Sequence, residues 1–300
     1  MTEEIAPEPA PVWRTRKRRP RAGVTFVSPA VRRVIAERDL DPAQLRGTGG
    51  GGRITRADAL TANQHETVFP SATGSDTAIP FSPLRRRAAR RLLESKATAA
   101  HAHVIVECDY ARLDRVRRHA RLTYLPFVAR AIVDALREFP ACNGTTNGDA
   151  ITRHEHVHLG IAVDLDHEDL VVPVAHDADT LRLRPLGQRI GEVAQRARDG
   201  KLRPDDVTGG TFTITNPGPF GTILSAPVIN FPQVAILTTD AVRPRLVVVR
   251  GTDGTDAVAI HPVGMLSVGF DHRAVDLATA SGFLARVRDL IEERDWTSEL

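Results

Sequence analysis

The sequence predicts an α/β fold for most of the chain, with a very small helical module before it. Between residues 79 and 300, short β-branched runs typical of strands alternate with longer amphipathic patterns typical of helices. Such interleaving indicates layers of sheet and helix. Hydrophobic residues make up 42% of the 300 residues, which is enough for a sizeable core.

The elements of this large domain can be predicted in chain order. Helices are predicted over 84–96, 181–199 and 278–293, and a long helix is predicted to start at Pro126. Strands are predicted over 104–109, 157–163, 170–174, 211–215, 234–237, 246–249 and 265–270. The strand over 211–215 cannot continue, because Asn216-Pro217-Gly218 follows it.

Composition limits the compartment. Cys108 and Cys142 stand in no metal-ligand spacing, and two cysteines alone make no disulfide framework, which indicates a reducing compartment. No apolar stretch is long enough to span a membrane, and the N-terminus lacks the apolar region of a signal peptide. We therefore expect a cytoplasmic protein without a membrane partner.

Two sets of alternating histidines raise the question of a metal site. His154, His156 and His158 would share one face of a strand, and His101 and His103 would do likewise. No cysteine or carboxylate accompanies them at ligand spacing. We interpret both sets as polar strand faces and expect no bound metal.

Residues 1–25 are predicted to form a flexible basic arm. Six basic residues fall between Arg14 and Arg21, among several prolines. Such a run can bind nucleic acid, but no platform of aromatic and basic residues follows it. The favoured interpretation is an arm that docks on an acidic protein or has no specific role, so no nucleic-acid partner is expected.

Residues 26–61 have the pattern of a very small two-helix module. Ser28-Pro29 is typical of a helix start, and Thr55 with Asp58 has the spacing of a capping box. The glycine-rich run over 47–53 lacks the preceding strand and the lysine of a phosphate-binding loop. Residues 62–78 are predicted to be a mobile linker to the large domain over 79–300.

This small module resembles the peripheral subunit-binding domain of 2-oxo acid dehydrogenase complexes, through residues 27–33 and 47–58. The resemblance implies that it holds the decarboxylase component, the dihydrolipoyl dehydrogenase component, or both. It also implies that Arg32, Arg33 and Arg53 contact an acidic partner surface, which suits the fork of a guanidinium group.

The stretch from Phe270 to Asp276 carries the main signal for chemistry. His272 is predicted at the exit of a strand, on a short turn, where a histidine can act as a general base. Asp276 lies four residues on, close enough to brace the turn or the ring. On this short pattern alone, a surface histidine among solvated charges is the simpler interpretation.

Several segments, taken together and in order, resemble the catalytic domain of dihydrolipoamide acyltransferases. That domain has the chloramphenicol acetyltransferase fold, a mixed sheet with helices. The resemblance covers nearly all of residues 79–300, and the segments are 94–96, 160–164 with 170–174, 209–216, 229–237 and 271–276.

The resemblance implies a thioester exchange, in which a thiol attacks an acyl group carried on dihydrolipoamide sulfur. His272 is then the general base, since a thiol with a pKa of about 8.5 is mostly protonated at neutral pH. Thr215 is the hydrogen-bond donor to the tetrahedral oxyanion, and Asp276 is an orienting or structural group. The family site lies between subunits of a trimer, so Thr215 and His272 would come from different chains.

Three positions depart from the family pattern. Leu277 replaces the glycine that follows the aspartate, Asp169 replaces a glycine, and 238–240 replaces a glycine-containing stretch. Leucine adopts a positive φ poorly. We therefore expect the turn after Asp276 and the access of the acceptor to differ from the family.

The chain has only three lysines, Lys17, Lys96 and Lys201, and none has the hairpin context of a lipoyl attachment site. No lipoyl domain is recognised before residue 26. We therefore expect no covalently bound cofactor and a lipoyl group supplied in trans by a separate protein.

The leading hypothesis is an acyltransferase that moves an acyl group from a dihydrolipoyl thioester to coenzyme A, as a homotrimer or a multiple of it. One alternative sends the acyl group to the phosphopantetheine thiol of an acyl carrier protein in a biosynthetic pathway. A second alternative is a non-catalytic scaffold that recruits a dehydrogenase component, and the presence of His272 argues against it.

Overall fold

The computed structural model describes residues 27–37, 40, 42, 45, 47–61, 79–165, 169–251 and 253–300. The predicted arm over 1–25 and the predicted linker over 62–78 lie outside these residues. The chain divides into two compact units between Ile79 and Pro80.

Two short helices form the small unit. α1 spans Pro29–Glu37 and α2 spans Arg56–Thr61, and their apolar sides meet in a core of only a few residues. The predicted capping box is present at α2. The Thr55 N–H donates to the Asp58 carboxylate at 2.7 Å, and the Asp58 N–H donates to the Thr55 hydroxyl at 3.2 Å.

Asp58 also ties the glycine-rich loop to α2. Its carboxylate accepts the Thr48 N–H at 3.0 Å and the Thr48 hydroxyl at 2.7 Å. Hydrogen bonds from Thr48 and Thr55 hold the pKa of Asp58 well below its usual range. Within the loop, Gly51 and Gly52 have φ values of 73° and 79°, which glycine adopts without strain. The run is therefore a structural turn.

The large unit contains five helices and eleven strands among the residues that the structure describes. The helices are α3 (Pro83–Thr98), α4 (Ala111–Ala120), α5 (Tyr124–Glu138), α6 (Leu183–Arg198) and α7 (Leu277–Glu293). The strands are β1 (His101–Asp109), β2 (Gly144–Thr146), β3 (Ile151–Arg153), β4 (Leu159–Ile161), β5 (Val163–Leu165), β6 (Asp169–Val171), β7 (Val174–Ala175), β8 (Phe212–Thr215), β9 (Ala235–Thr239), β10 (Arg243–Arg250) and β11 (Asp256–Asp271).

A central mixed sheet has the strand order β1-β11-β9-β8-β4-β7. β4, β8 and β9 are parallel to one another, and the remaining pairs are antiparallel. The first half of β11 extends past the end of β9 and pairs with β10, the seventh strand of this sheet. This architecture confirms the predicted α/β class with a mixed sheet.

One face of the central sheet builds the main core. Ile214, Leu237 and Val268 lie side by side on β8, β9 and β11, and all three are buried in the main apolar cluster with residues of α5 and α7. α5 is the most deeply buried helix, because its apolar side chains cover a broad face.

The segment that connects β8 to β9 lies on the other face, and the C-terminal end of α3 bonds to this segment. The hydroxyl of the fully buried Ser95 on α3 donates to the Ile229 carbonyl at 2.7 Å. The hydroxyl of Ser267 on β11 donates to the Ser225 carbonyl. Side-chain hydroxyls, rather than apolar contacts alone, therefore fasten the connecting segment to the sheet.

Three elements differ from the predictions. The sequence does not predict α4, because arginines interrupt its apolar pattern. α5 begins at Tyr124 rather than Pro126, and the proline is tolerated in the first turn because its missing N–H would have no helical partner there. β11 begins at Asp256 rather than Met265, because its first half needs only β10 as a partner.

The predicted strands over 157–163 and 170–174 are each divided in two. β4 and β7 pair within the central sheet, whereas β5 and β6 form a separate two-stranded sheet. His154, His156 and His158 lie outside the strands, so their interpretation as one strand face is wrong.

The histidines of that segment bond to neighbouring loops, in part through aspartates. His156 contacts the Asp179 carboxylate at 3.2 Å, and the Asp177 N–H donates to His158 at 2.9 Å. His101 and His103, in contrast, stand two residues apart on β1 and do share a face.

Candidate active site

His272 lies on the turn between β11 and α7, as predicted. Its side chain is exposed. Its backbone N–H donates to the Ala100 carbonyl at 2.9 Å, and this bond extends the β1–β11 pairing by one residue. The imidazole stands 5.6 Å from the buried ring of Phe270, measured between ring centroids. The histidine is therefore placed on a rigid strand end and is open to a substrate.

Asp271 is the anchor of this turn, a role that the sequence does not reveal. It is 1% exposed, and it accepts the Ala100 N–H at 3.1 Å. The Arg273 guanidinium grips both oxygens of the carboxylate, at 3.0 and 2.7 Å. Burial raises the pKa of Asp271, but the hydrogen bonds from Arg273 and Ala100 outweigh it and keep the pKa below its usual range. Asp271 and Arg273, the two residues on either side of His272, are therefore joined by an ion pair that fixes the backbone of the turn.

Asp276 is the N-cap of α7. Its carboxylate accepts the Thr279 N–H at 2.7 Å and the Thr279 hydroxyl at 2.9 Å. These bonds lower its pKa. No hydrogen bond joins Asp276 to His272 in the described part of the chain. Of the two roles expected for Asp276, the structure thus favours the structural one.

Leu277 does not distort the turn. It is the first residue of α7, and only Arg121 and Asp177 have a positive φ among the non-glycine residues described. Leu277 therefore occupies its position without a positive φ, because helical φ suits any L-residue. The side chain is 52% exposed and borders the turn that carries His272.

Thr215 ends β8, where the strand gives way to Asn216-Pro217-Gly218. It is paired with Thr238 on β9, and Thr238 is paired with Ser267 on β11. Residues opposite one another on adjacent strands share a face. Three hydroxyls therefore form a row across one end of the sheet, and that of Thr238 is buried without a hydrogen-bond partner.

The structure does not bring Thr215 and His272 together within one chain. Thr215 lies level with Ser267, and His272 lies five residues further along β11. With about 3.3 Å per residue and about 4.8 Å per strand, the two residues are roughly 20 Å apart. Two surface pockets, of about 330 and 310 Å³, include neither residue.

A hydrogen-bond network at the start of β1 holds the segment that connects β8 to β9. His101 accepts the Ile229 N–H at its Nε2 (3.2 Å), and its Nδ1 lies 3.1 Å from the Ala99 carbonyl oxygen. Burial lowers the pKa of His101. The sequence signal was the alternation of His101 with His103, whose Nε2 contacts the Pro227 carbonyl at 3.0 Å. Both histidines thus hold the β8–β9 connection against the sheet.

The two cysteines do not offer a nucleophile. Both are free and buried. Burial raises the pKa of Cys108 well above its usual range and that of Cys142 to about 12. A thiol must ionise to attack, so neither competes with an external thiol as the attacking group.

Arg32, Arg33 and Arg53 are exposed on the small unit. The first two lie on α1, and the third follows the glycine-rich loop. No ion pair holds any of them among the described residues, so their guanidinium groups are open to solvent.

Neither a metal centre nor a membrane helix emerges from the residues that are described. Among them, no group of three or more histidine, cysteine or acidic side chains is placed to hold a metal ion. No helix described is both long and apolar enough to cross a membrane.

Two protein families match the chain in sequence. The model of the 2-oxoacid dehydrogenases acyltransferase catalytic domain matches residues 73–297, and that of the e3 binding domain matches residues 25–60. The dihydrolipoyllysine-residue succinyltransferase component of the 2-oxoglutarate dehydrogenase complex of Escherichia coli (strain K12) is 36% identical over 290 residues. The match covers 89% of this chain and 70% of that protein.

Solved structures of the same kind are similar throughout the large unit. Dihydrolipoamide acetyltransferase of Azotobacter vinelandii is 30% identical with a TM-score of 0.68, covering 73% of this chain and 93% of that chain. That structure belongs to an investigation of a serine, a histidine and an asparagine in the catalytic mechanism, and the histidine and asparagine are four positions apart. The cubic core of a pyruvate dehydrogenase multienzyme complex gives the same identity, coverage and TM-score. The chain therefore belongs to the 2-oxoacid dehydrogenase acyltransferases, enzymes that transfer an acyl group from a lipoyl group to coenzyme A.

Proposed function

We propose that the active site forms between two copies of this chain, with His272 from one subunit and Thr215 from its neighbour, in a homotrimer or a multiple of it. The observation that carries the proposal is the separation of the two residues at opposite ends of one sheet. A base and an oxyanion donor must both lie within about 3 Å of the reacting atoms. A second copy meets this requirement if its Thr215 end approaches the His272 turn.

An exposed apolar surface supports contact between copies at the Thr215 end. The β10–β11 hairpin extends past β9 at this end of the sheet. Within the hairpin, Leu246 is paired with Ile260, and Val248 is paired with Val258. These four residues are between 70% and 75% exposed. A monomer rarely exposes an apolar patch of this kind. A second copy of the chain that covered this patch would also bring the second residue of the site.

The chemistry assigned to each residue follows from the thioester exchange. The imidazole of His272 takes the proton of the coenzyme A thiol as sulfur attacks the acyl carbon. The Thr215 hydroxyl donates to the oxyanion that forms, and collapse of this intermediate expels the dihydrolipoamide thiolate. That thiolate then recovers the proton from His272. A donor placed in advance lowers the barrier because it needs no reorganisation during the reaction.

The spacing in the Azotobacter enzyme supports the choice of His272. Its histidine and asparagine have the same four-residue separation as His272 and Asp276. We assign Asp276 to helix capping and to the shape of the turn, because its carboxylate is occupied by Thr279.

One assay identifies the acyl group and tests coenzyme A as its acceptor. The Escherichia coli relative is a succinyltransferase and the Azotobacter relative an acetyltransferase. The full chain should be incubated with coenzyme A and a separate lipoyl domain that carries a succinyl or an acetyl group on its reduced lipoyl arm. Mass spectrometry follows the acyl group, with His272→Ala as control. Acyl-coenzyme A that His272→Ala forms as fast as the native chain would contradict the assignment.

We further propose that residues 26–61 bind a decarboxylase or dihydrolipoyl dehydrogenase component through Arg32, Arg33 and Arg53. The exposed guanidinium groups and the match to the e3 binding domain support this proposal. Arg53→Glu should weaken binding of one of these components, and Arg56→Glu on α2 is the matched control. Equal affinities for the two variants and the native chain would exclude the assigned surface.

The free cysteines support a cytoplasmic location.

A further inference from the structure

A buried carboxylate at the Thr215 end of the sheet stands outside the chemistry described above. Asp240 follows β9 directly, two residues after Thr238, and is 3% exposed. Its N–H continues the β9–β11 pairing by donating to the Met265 carbonyl at 3.1 Å. It is also one of the positions at which the sequence departs from the glycine-containing family pattern.

In the part of the chain that the structure describes, all the side-chain hydrogen bonds of Asp240 go to the segment that follows Thr215. The hydroxyls of Thr222 and Ser225 donate to Oδ1, each at 2.7 Å, and the Ser225 N–H donates to Oδ2 at 3.1 Å. Among the described residues, no cation forms an ion pair with Asp240. A buried carboxylate held only by neutral donors is stable only while these donors stay in place.

Further contacts pin the same segment to the strand end. The Ala241 N–H donates to the Thr222 carbonyl at 2.9 Å, and the Arg243 guanidinium donates to the Gly221 carbonyl. Gly218 lies so close to the Asp240 carbonyl that a Cβ there would stand 2.9 Å from its oxygen. Residues 216–225 are therefore folded tightly around Asp240.

The segment held by Asp240, which follows Thr215 in the chain, exposes apolar side chains. Ile223 and Leu224 are each more than 50% exposed, although they stand between the two residues that Asp240 holds. Exposed apolar residues on a loop do not fix its conformation by packing. The hydrogen bonds to Asp240 supply the order that packing does not.

We propose that Asp240 is a positioning residue for acyl transfer. Its carboxylate fixes residues 216–225, and this fixed segment holds the Thr215 hydroxyl at the place where the oxyanion forms. The inference rests on the proposed role of Thr215. Its physical basis is that a misplacement of about 1 Å in a catalytic group can lower the rate by about 100-fold.

The test is a double-mutant cycle with Thr215. In the full-length chain, Asp240→Asn should lower kcat by about tenfold or more, while KM for coenzyme A stays within about twofold. In a Thr215→Ala background, the same substitution should change kcat by less than about twofold, because no hydroxyl remains to be positioned. Equal factors in both backgrounds, or a change in KM alone, would overturn the proposal.

Controls separate positioning from folding. Asp206→Asn removes an equally buried carboxylate, held by Arg196 and Arg203 away from the sheet end, and should leave kcat unchanged. Hydrogen exchange should show faster exchange of residues 216–225 in Asp240→Asn but not in Asp206→Asn. If Asp240→Asn does not fold, the same double-mutant cycle is measured with Ser225→Ala. This variant keeps the Asp240 carboxylate and removes the Ser225 hydroxyl that donates to it.

Failure of this proposal can be told from failure of the proposed function. If Thr215→Ala by itself leaves kcat unchanged, the role of Thr215 is wrong, and the positioning role of Asp240 is wrong with it. If Thr215→Ala lowers kcat but Asp240→Asn does not, only the role of Asp240 is wrong.

Discussion

Thr215 and His272 lie at opposite ends of the central sheet of a single subunit. Thr215 is level with Ser267, whereas His272 follows the far end of β11, where the Asp271 N–H donates to the Val234 carbonyl. Within one subunit the two residues are too far apart to act on the same reacting atoms, and for this reason we propose that each works with the complementary residue of another copy.

Complementation between inactive variants follows from this geometry. Thr215→Ala and His272→Ala subunits should be co-expressed with different tags, and trimers that contain both should be isolated. Each mixed trimer has one interface with both native residues, so about one third of native activity should return. Mixed trimers no more active than either pure variant would place both residues in the same subunit's site.

Substitutions at Thr215 should distinguish the contribution of its hydroxyl group to kcat from that of its methyl group. Thr215→Val keeps the shape and removes the donor, so kcat should fall by about 100- to 1,000-fold, as expected for a lost oxyanion donor. Thr215→Ser keeps the donor and should stay within about tenfold of the native kcat. The kcat values at saturating coenzyme A decide the matter, and a Val variant as active as the Ser variant would argue against an oxyanion role.

Substitutions at Asp276 should affect stability more than catalysis. Asp276→Ala removes the N-cap of α7 and should lower the free energy of unfolding by about 0.5–2 kcal/mol. Asp276→Ser restores a capping oxygen and should recover most of that loss. The native chain and both variants should have similar kcat values. A Ser variant with restored stability and a low kcat would instead assign the carboxylate to catalysis.

His101 should make stability depend on pH. Burial lowers its pKa below the ordinary value of 6.5, and Lys96 and His103 act in the same direction. The hydrogen bond to the Ala99 carbonyl and the charge of Asp271 oppose this shift without cancelling it. The unfolded chain therefore binds the proton more readily. The stabilisation from neutral His101 is fully present above about pH 6.5 and is lost as pH falls through the lower pKa of the folded state.

Melting temperatures of the native chain and His101→Ala measure this effect. The difference between them should be larger at pH 7.5 than at pH 5.5, because protonation of His101 opposes its bond from the Ile229 N–H. His119→Ala, at an exposed histidine on α4, should show no such trend. A difference that is constant from pH 7.5 to 5.5 would mean that His101 does not lose its stabilising contact on protonation.

Local sequence patterns predicted the elements that local interactions control. The helix start at Ser28-Pro29 and the capping box of Thr55 and Asp58 depend on residues close in the chain. α4 was not predictable because its helix is stabilised by contacts with α7 and β11 rather than by a clear apolar stripe. The strand predicted at the histidines of 154–158 was wrong for the same reason. His156 and His158 bond to Asp179 and Asp177, which are distant in the sequence, so the local pattern did not reveal their surroundings.

The sequence by itself determined the class of fold, the order of its elements, and the motif residues that resemble an acyltransferase. Only the tertiary structure decided that Asp271 accepts a hydrogen bond from Ala100 on the neighbouring strand, and that Thr215 lies far from His272 in one chain. Motifs report residue types and their spacing along the chain, which suffices for contacts within a turn. Strand order and register set the distance between residues far apart in sequence, and these depend on how the whole sheet packs.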